Sequence, residues 1–313
     1  MEILKPRKLN KNELIGLISP ASSPDELSKI DDSVSYLERL GYSVVLGKNV
    51  GKINGYLAGT DQERVDDLHY MFKKKEVKAI FCLRGGYGSG RILDKIDYNL
   101  IKKNPKILVG YSDITSLQMA ILKKTGLITF AGPMLLTDFL NQIHPSAEEI
   151  FWITLTSNKK IGKLKSIGDK EIQFLRKGRT IGRLIGGNLS TFVSLIGSDY
   201  LPKLDKCIIL LEETCEPPYK IDRMFNQLRI SGILKNSNGV LLGAFNDCLE
   251  TNPEKNTLTL GEVIQEYLGN LKKPVLYNLS HGHIKENLIL PIGLNVKLNS
   301  EKKIIEFAEK AVV

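Results

Sequence analysis

The sequence has no apolar stretch approaching the roughly 18 residues that a membrane-spanning helix needs. Its first twelve residues, Met1 to Asn12, are polar and basic and lack the apolar centre of a secretory signal. The cytoplasm is therefore the expected location, and no membrane partner is expected. Cysteine is scarce: Cys82, Cys207, Cys215 and Cys248 are the full set. No two of them have C-x-x-C spacing, which excludes the usual zinc-ribbon and thioredoxin-type motifs, and no disulfide framework is implied. Cys82 and Cys207 lie in apolar runs and read as small buried hydrophobes. Histidine is as scarce, with His69 and His144 in unrelated settings and only His281 and His283 close together. A metal site here would need carboxylate or further His partners at suitable spacing, and no metal and no cofactor are expected. There is one tryptophan, Trp152, and no internal repeat.

What is present is an ordinary globular composition, 42% hydrophobic and 25% charged. A chain of 313 residues is too long for one ordinary core and fits one large or two modest domains. Basic residues exceed acidic ones by 44 to 35, a formal charge of +9. The excess is dispersed in short runs such as Lys73-Lys74-Lys75, Lys102-Lys103 and Lys272-Lys273. No helix-turn-helix, RNA-binding aromatic or zinc-finger pattern accompanies it, so no nucleic-acid partner is expected.

The first half alternates short apolar runs with helical stripes. Strands are expected over 14–18, 43–46, 77–83, 107–109 and 128–131. Between them Leu27, Ile30, Val34 and Leu37, then Val65, Leu68 and Phe72, then Ile114, Leu117, Ile121 and Leu122 recur at helical spacing. Such alternation implies a parallel, flavodoxin-like α/β sheet with helices on both faces and functional loops at the carboxyl ends of its strands. Residues 1–155 are assigned to this domain. Residues 156–178, polar and rich in Lys and Gly, read as a linker. Residues 179–313 read as a mixed, largely β domain, with strands over 207–211, 240–245, 275–278 and 295–298 and helices over 189–196 and 221–230.

Four segments carry chemistry-bearing residues. Ile107-Leu108-Val109-Gly110-Tyr111-Ser112-Asp113 runs a buried strand into a turn with a serine before a helix, the logic of a nucleophile elbow. Ile114 stands where the second glycine of that motif belongs, and helix capping by Ser112 or Asp113 explains the segment equally simply. Arg84-Gly85-Gly86-Tyr87-Gly88-Ser89-Gly90 lets backbone approach a ligand closely. It lacks the Lys-Ser/Thr ending of a phosphate loop, so an oxyanion-donor loop or a tight strand-to-helix turn fits as well. Glu212-Glu213 ends an apolar strand, where a solvated pair is the ordinary explanation. Ser280-His281-Gly282-His283 offers a general base. Together they supply Ser, Glu and His in that chain order, one member of each type that an activated hydroxyl nucleophile requires.

The same residues resemble the LD-carboxypeptidase family. The similarity lies in Arg84-Gly85-Gly86-Tyr87-Gly88 with Gly110-Tyr111-Ser112-Asp113, and in Gly182-Arg183-Leu184-Ile185-Gly186-Gly187-Asn188-Leu189. It continues in Leu211-Glu212-Glu213 through Pro218-Tyr219-Lys220-Ile221-Asp222-Arg223, and in Gly282-His283, Asn287 and Leu290-Pro291-Ile292-Gly293. Ala58-Gly59-Thr60-Asp61 with Arg64 also fits. The resemblance implies a metal-free Ser-His-Glu peptidase that removes the terminal D-alanine from murein tetrapeptides in cytoplasmic cell-wall recycling, acting as a homodimer. Ser112 is then the nucleophile, Glu212 the orienting carboxylate and His283 the base, with His281 as the alternative base. The N–H groups of Asp113 and Gly86 are expected to bind the oxyanion, and Gly85 and Asn188 to belong to the substrate-binding set. Arg84 or Arg183 is expected to hold the terminal carboxylate. Three rivals are a microcin C immunity-type amidase acting on acyl-adenylate mimics, a nucleotide-binding module built on Gly85 to Gly90, and an inactive muropeptide-binding protein.

Overall fold

The computed structural model describes every residue except Met1, Asp169, Lys170 and Pro253. Strands are labelled in chain order. β1 (Leu14–Ile18), β2 (Ser43–Leu46), β3 (Val77–Cys82), β4 (Ile107–Gly110) and β5 (Thr129–Ala131) pair in parallel in the order β2-β1-β3-β4-β5. That is the flavodoxin-like order. Consecutive residues of β3 and β4 are buried, which a strand shows only when both faces of its sheet are covered. Their unbroken Ala-Ile-Phe-Cys and Ile-Leu-Val runs have that cause. The order reverses between β1 and β3, so their carboxyl-end loops open a crevice there.

The second sheet has eight strands in the order β6-β14-β13-β8-β9-β10-β11-β7. These are β6 (Gly162–Leu164), β7 (Gln173–Arg176), β8 (Arg179–Asn188), β9 (Ile208–Thr214), β10 (Gly239–Asn246), β11 (Val275–Tyr277), β13 (Asn295–Asn299) and β14 (Ile304–Phe307). The central four, β8 to β11, are parallel, and the outer pairings are antiparallel.

Two sequence expectations need correction. The segment 156–178, read as a linker, contributes both edge strands of the second sheet, β6 and β7; its residues 169 and 170 lie outside the described residues. Edge strands carry Lys and other polar residues because their outer backbone edge faces water, and the same composition marks linkers. The C-terminal segment also does not stay with the second sheet. β12 (Leu290–Ile292) crosses back and pairs antiparallel with β5 at the edge of the first. The loop between β11 and β12 therefore spans from one sheet to the other.

Candidate active site

Ser112 lies two residues past the end of β4, after Tyr111. Its φ is +61°, a left-handed conformation that a serine adopts only where surrounding structure enforces it. Gly110 makes the turn feasible. A Cβ there would lie 2.9 Å from Ile114 Cγ2, so the helical residue that replaces the expected second glycine folds back onto the first. Gln118 Nε2 donates to the Gly110 carbonyl at 2.9 Å and pins the strand end. The missing glycine is supplied by the neighbouring loop: a Cβ on Gly85 would meet Ser112 Cβ at 2.9 Å and Oγ at 3.1 Å.

That loop is glycine-rich because protein side chains fill its concave faces. Gly86 (φ +98°) lies over Ser22, whose Oγ would stand 2.4 Å from an added Cβ. Gly88 (φ +129°) accommodates the guanidinium of Arg64, a fully buried arginine that donates to the carbonyls of Pro20 and Gly88, both at 2.7 Å. Arg64 projects from the helix Asp61–Lys73, which starts at a capping box formed by Thr60 and Glu63. The Gly59-Thr60-Asp61 and Arg64 signature thus serves to hold the glycine loop. The Asp113 carboxylate accepts from Ser89 N at 2.7 Å and ties the loop to the elbow. Burial pushes the pKa of Asp113 up, against the hydrogen bonds it accepts. The side chain of Asp113 is therefore structural; only its backbone N–H, 3.3 Å from the position of a Gly85 Cβ, borders the nucleophile.

Glu212 is fully buried in β9. Successive strand residues face opposite sides of a sheet, which separates it from Glu213. Glu213 turns away and accepts from Asn188 Nδ2 (2.7 Å), Thr214 N (2.9 Å) and Ser190 N (2.8 Å). Glu212 Oε2 receives His283 Nδ1 at 2.8 Å, and His283 Nε2 stands 3.2 Å from Ser112 Oγ. With the Nδ1 proton committed to the carboxylate, Nε2 is free to accept the serine proton. Burial pulls the His283 pKa down, but the hydrogen bond and charge of Glu212, with further help from Asp138 and Glu213, outweigh it, and the net shift is upward.

The loop carrying His283 is fixed at several points. Leu288 N donates to Ser280 O at 2.8 Å, and Gly282 N donates to Asn287 Oδ1 at 3.1 Å. Asn287 Nδ2 in turn donates to the buried Asp138 at 3.1 Å. Gly282 has φ +116°, and a Cβ on it would sit 2.7 Å from Glu212 Oε2. His281 is a separate matter. It is fully buried, Nδ1 bonds the Leu288 carbonyl at 2.8 Å, and burial lowers its pKa. The alternative base therefore packs the loop and does not reach Ser112.

The other expected site residues divide. Arg84 adjoins Gly85 but is tied to Asp25 at 2.8 Å and to the Ser23 carbonyl at 3.1 Å. Arg183 is not brought to the site. It lies five residues before Asn188 on β8, about 16 Å along the strand, and donates to the Gly293 carbonyl. Asn188 is engaged within the fold. It caps the helix Leu189–Ser194, its Oδ1 accepts from Ser190 and Thr191, and its N–H donates to Thr115 Oγ1 at 3.1 Å. It joins the second sheet to the helix behind the nucleophile. Sequence reasoning missed Tyr111, whose ring packs 4.9 Å from the His283 ring, and Asp138, which anchors both Tyr111 and Asn287. The available signal for Asp138 was a carboxylate inside the apolar run Leu135-Leu136-Thr137-Asp138-Phe139-Leu140. Among the described residues no cluster of three or more potential ligands is placed to hold a metal ion.

Residues 15–132 match the LD-carboxypeptidase N-terminal domain and residues 181–298 the LD-carboxypeptidase C-terminal domain. The chain is 41% identical over 305 residues to a protein of Bacillus subtilis (strain 168) named probable murein peptide carboxypeptidase, covering 96% of this chain and 92% of that one. The structure is similar to that of the muramoyltetrapeptide carboxypeptidase from Oxalobacter formigenes, with a TM-score of 0.81 and 28% identity over 94% of this chain and 97% of that one. It is also similar to the wild-type apo structure of the microcin C7 self immunity protein, with a TM-score of 0.89 and 28% identity over 99% of this chain and 100% of that one.

Proposed function

This chain belongs to the LD-carboxypeptidase family, and on that premise we propose that it is a serine carboxypeptidase that releases the terminal D-alanine from murein tetrapeptides. The hydrogen-bond chain from Ser112 Oγ through His283 to Glu212, 3.2 and 2.8 Å long, carries the reading. Ser112 attacks the scissile carbonyl while His283 Nε2 takes its proton. Glu212 holds the ring and stabilises the imidazolium, which returns the proton to the leaving amine. Water then repeats the sequence on the acyl-enzyme. The Asp113 and Gly86 N–H groups are assigned to the oxyanion, where loss of one donor typically costs on the order of 100- to 1000-fold in rate. Cytoplasmic recycling of murein peptides and a homodimeric assembly complete the proposal.

The microcin immunity-type reading shares this triad, so likeness of fold does not separate the two. Trp152 argues for the murein substrate. It is stacked on Tyr42 at 5.2 Å, packed edge-on against Phe151 at 5.1 Å, and its indole N–H donates to Tyr36. These contacts give the indole a packing role against the core. The nucleotide-binding alternative is disfavoured because Ser22 and Arg64 occupy the loop where phosphates would lie.

The test is D-alanine release from a murein tetrapeptide by wild type, Ser112→Ala and His283→Ala, with EDTA throughout and an acyl-sulfamoyl adenylate in parallel. Release by wild type alone supports the proposal. Activity that survives Ser112→Ala, or turnover of the adenylate only, overturns it.

A further inference from the structure

One cavity, of about 330 Å³, contains a member of the triad. Its walls include Tyr111, Thr137, Asn141, Ile143, His283 and Lys285. It adjoins a smaller one of about 150 Å³ that shares Thr137 and Asn141 and reaches Arg84. We propose that the larger cavity is the subsite for the C-terminal residue of the peptide and that Lys285 is the counter-ion of its free carboxylate. The inference rests on the carboxypeptidase reading above.

The chemistry fixes the position of the carboxylate. His283 Nε2 must hand its proton to the leaving nitrogen, so that nitrogen sits at hydrogen-bond distance from the ring. In a terminal amino acid the carboxylate is one carbon away from the nitrogen. A receiving cation must therefore share the cavity of the imidazole. Lys285 does: it lies two residues past His283 on the same loop, lines the same cavity and is exposed. Its backbone is fixed, because its carbonyl accepts from His144 N at 2.9 Å. The other cations of the groove carry carboxylate partners: Arg84 pairs with Asp25 at 2.8 Å through Nη1, leaving its buried Nε without a partner, and Lys29 pairs with Glu26 at 3.0 Å. Among the described residues no carboxylate pairs with Lys285.

The one acid in the wall is Asp138, and its charge faces inward. Oδ1 accepts from Asn287 Nδ2 and Tyr111 OH, and Oδ2 from Met134 N and Thr137 Oγ1. Ile143 and Ile284 supply the apolar contact that suits a small side chain. A cation at this place makes the enzyme select a chain end over an internal bond.

The test compares kcat and KM for a murein tetrapeptide with a free terminal carboxylate and for its C-terminal amide, in wild type, Lys285→Met, Lys285→Arg and Arg84→Met. A charge-assisted hydrogen bond of ordinary strength predicts a preference for the acid of about tenfold to about 100-fold in wild type. Lys285→Met should collapse that preference, mainly through KM because the carboxylate is bound equally before and during reaction. Lys285→Arg should largely restore it. An unchanged acid-to-amide ratio in Lys285→Met, or its collapse in Arg84→Met instead, overturns this inference and leaves the peptidase reading intact. Failure of wild type to cleave either peptide overturns both.

Discussion

The two sheets meet at the site with different means of holding a reactive group. At the carboxyl end of the first, Ser112 is placed by backbone: a left-handed φ, Gly110 two residues before it, and a glycine loop 22 to 27 residues earlier in the chain that touches it. At the carboxyl end of the second, Glu212 and His283 are 71 residues apart and meet because a loop crosses between sheets. Ser112 is held by a strained turn. The Glu212–His283 pair is held by long-range closure, through Gly282, Asn287 and Asp138. Local strain persists wherever the turn folds, whereas closure depends on every hydrogen bond in the crossing loop.

Changes at either edge test this contrast. The largest effect belongs to Ser112→Ala, which should reduce D-alanine release by at least about 10⁴-fold while leaving the melting temperature equal or higher, since alanine removes no packing. A wild-type rate in that variant would remove the elbow from the mechanism. Glu212→Gln should cost about 10⁴-fold, the order seen when the orienting carboxylate of a serine triad becomes an amide. It should also move the acid limb of the pH–rate profile. The base works neutral, so activity falls as pH drops through the His283 pKa. In wild type that limb lies above the ordinary imidazole value of about 6.5, because Glu212 overrides the effect of burial. Without the carboxylate, burial dominates and the limb shifts to lower pH. A limb that stays in place would mean that Glu212 does not set the His283 pKa.

Gly282→Ala sharpens the comparison without replacing a member of the triad. Its Cβ would be 2.7 Å from Glu212 Oε2 and its φ of +116° disfavours any side chain. A displacement of that kind should lower kcat by about 100-fold, and chymotryptic stability of the folded protein distinguishes this from unfolding. The smallest effect is expected for Thr115→Val. It removes the acceptor for Asn188 N between the two sheets and should cost about 1 kcal/mol in a denaturant titration. A much larger loss of activity than of stability there would show that the joint between the sheets also sets the triad geometry.

Much of the first sheet was legible because each of its five parallel strands is a short apolar run bounded by turn residues, and the helices between them imply parallel crossovers. The second sheet was less so. β6 and β7 are edges and read as linker, β8 contains Gly182, Gly186 and Gly187 in place of a periodic apolar pattern, and β12 left its neighbours for the other sheet. Those glycines are needed by contacts invisible in one dimension: a Cβ on Gly186 would stand 2.0 Å from the Leu210 carbonyl oxygen.

The sequence by itself determined the family, the parallel character of the first half and the residue types of the triad, because these follow from local periodicity and from motifs a few residues long. Only the tertiary structure placed His283, not His281, between Ser112 and Glu212, turned Glu213 away from them, and engaged Asn188 in joining the second sheet to the helix after Ser112. Those choices depend on which face a side chain takes and which distant segment meets it, and a chain fixes neither until its sheets have paired.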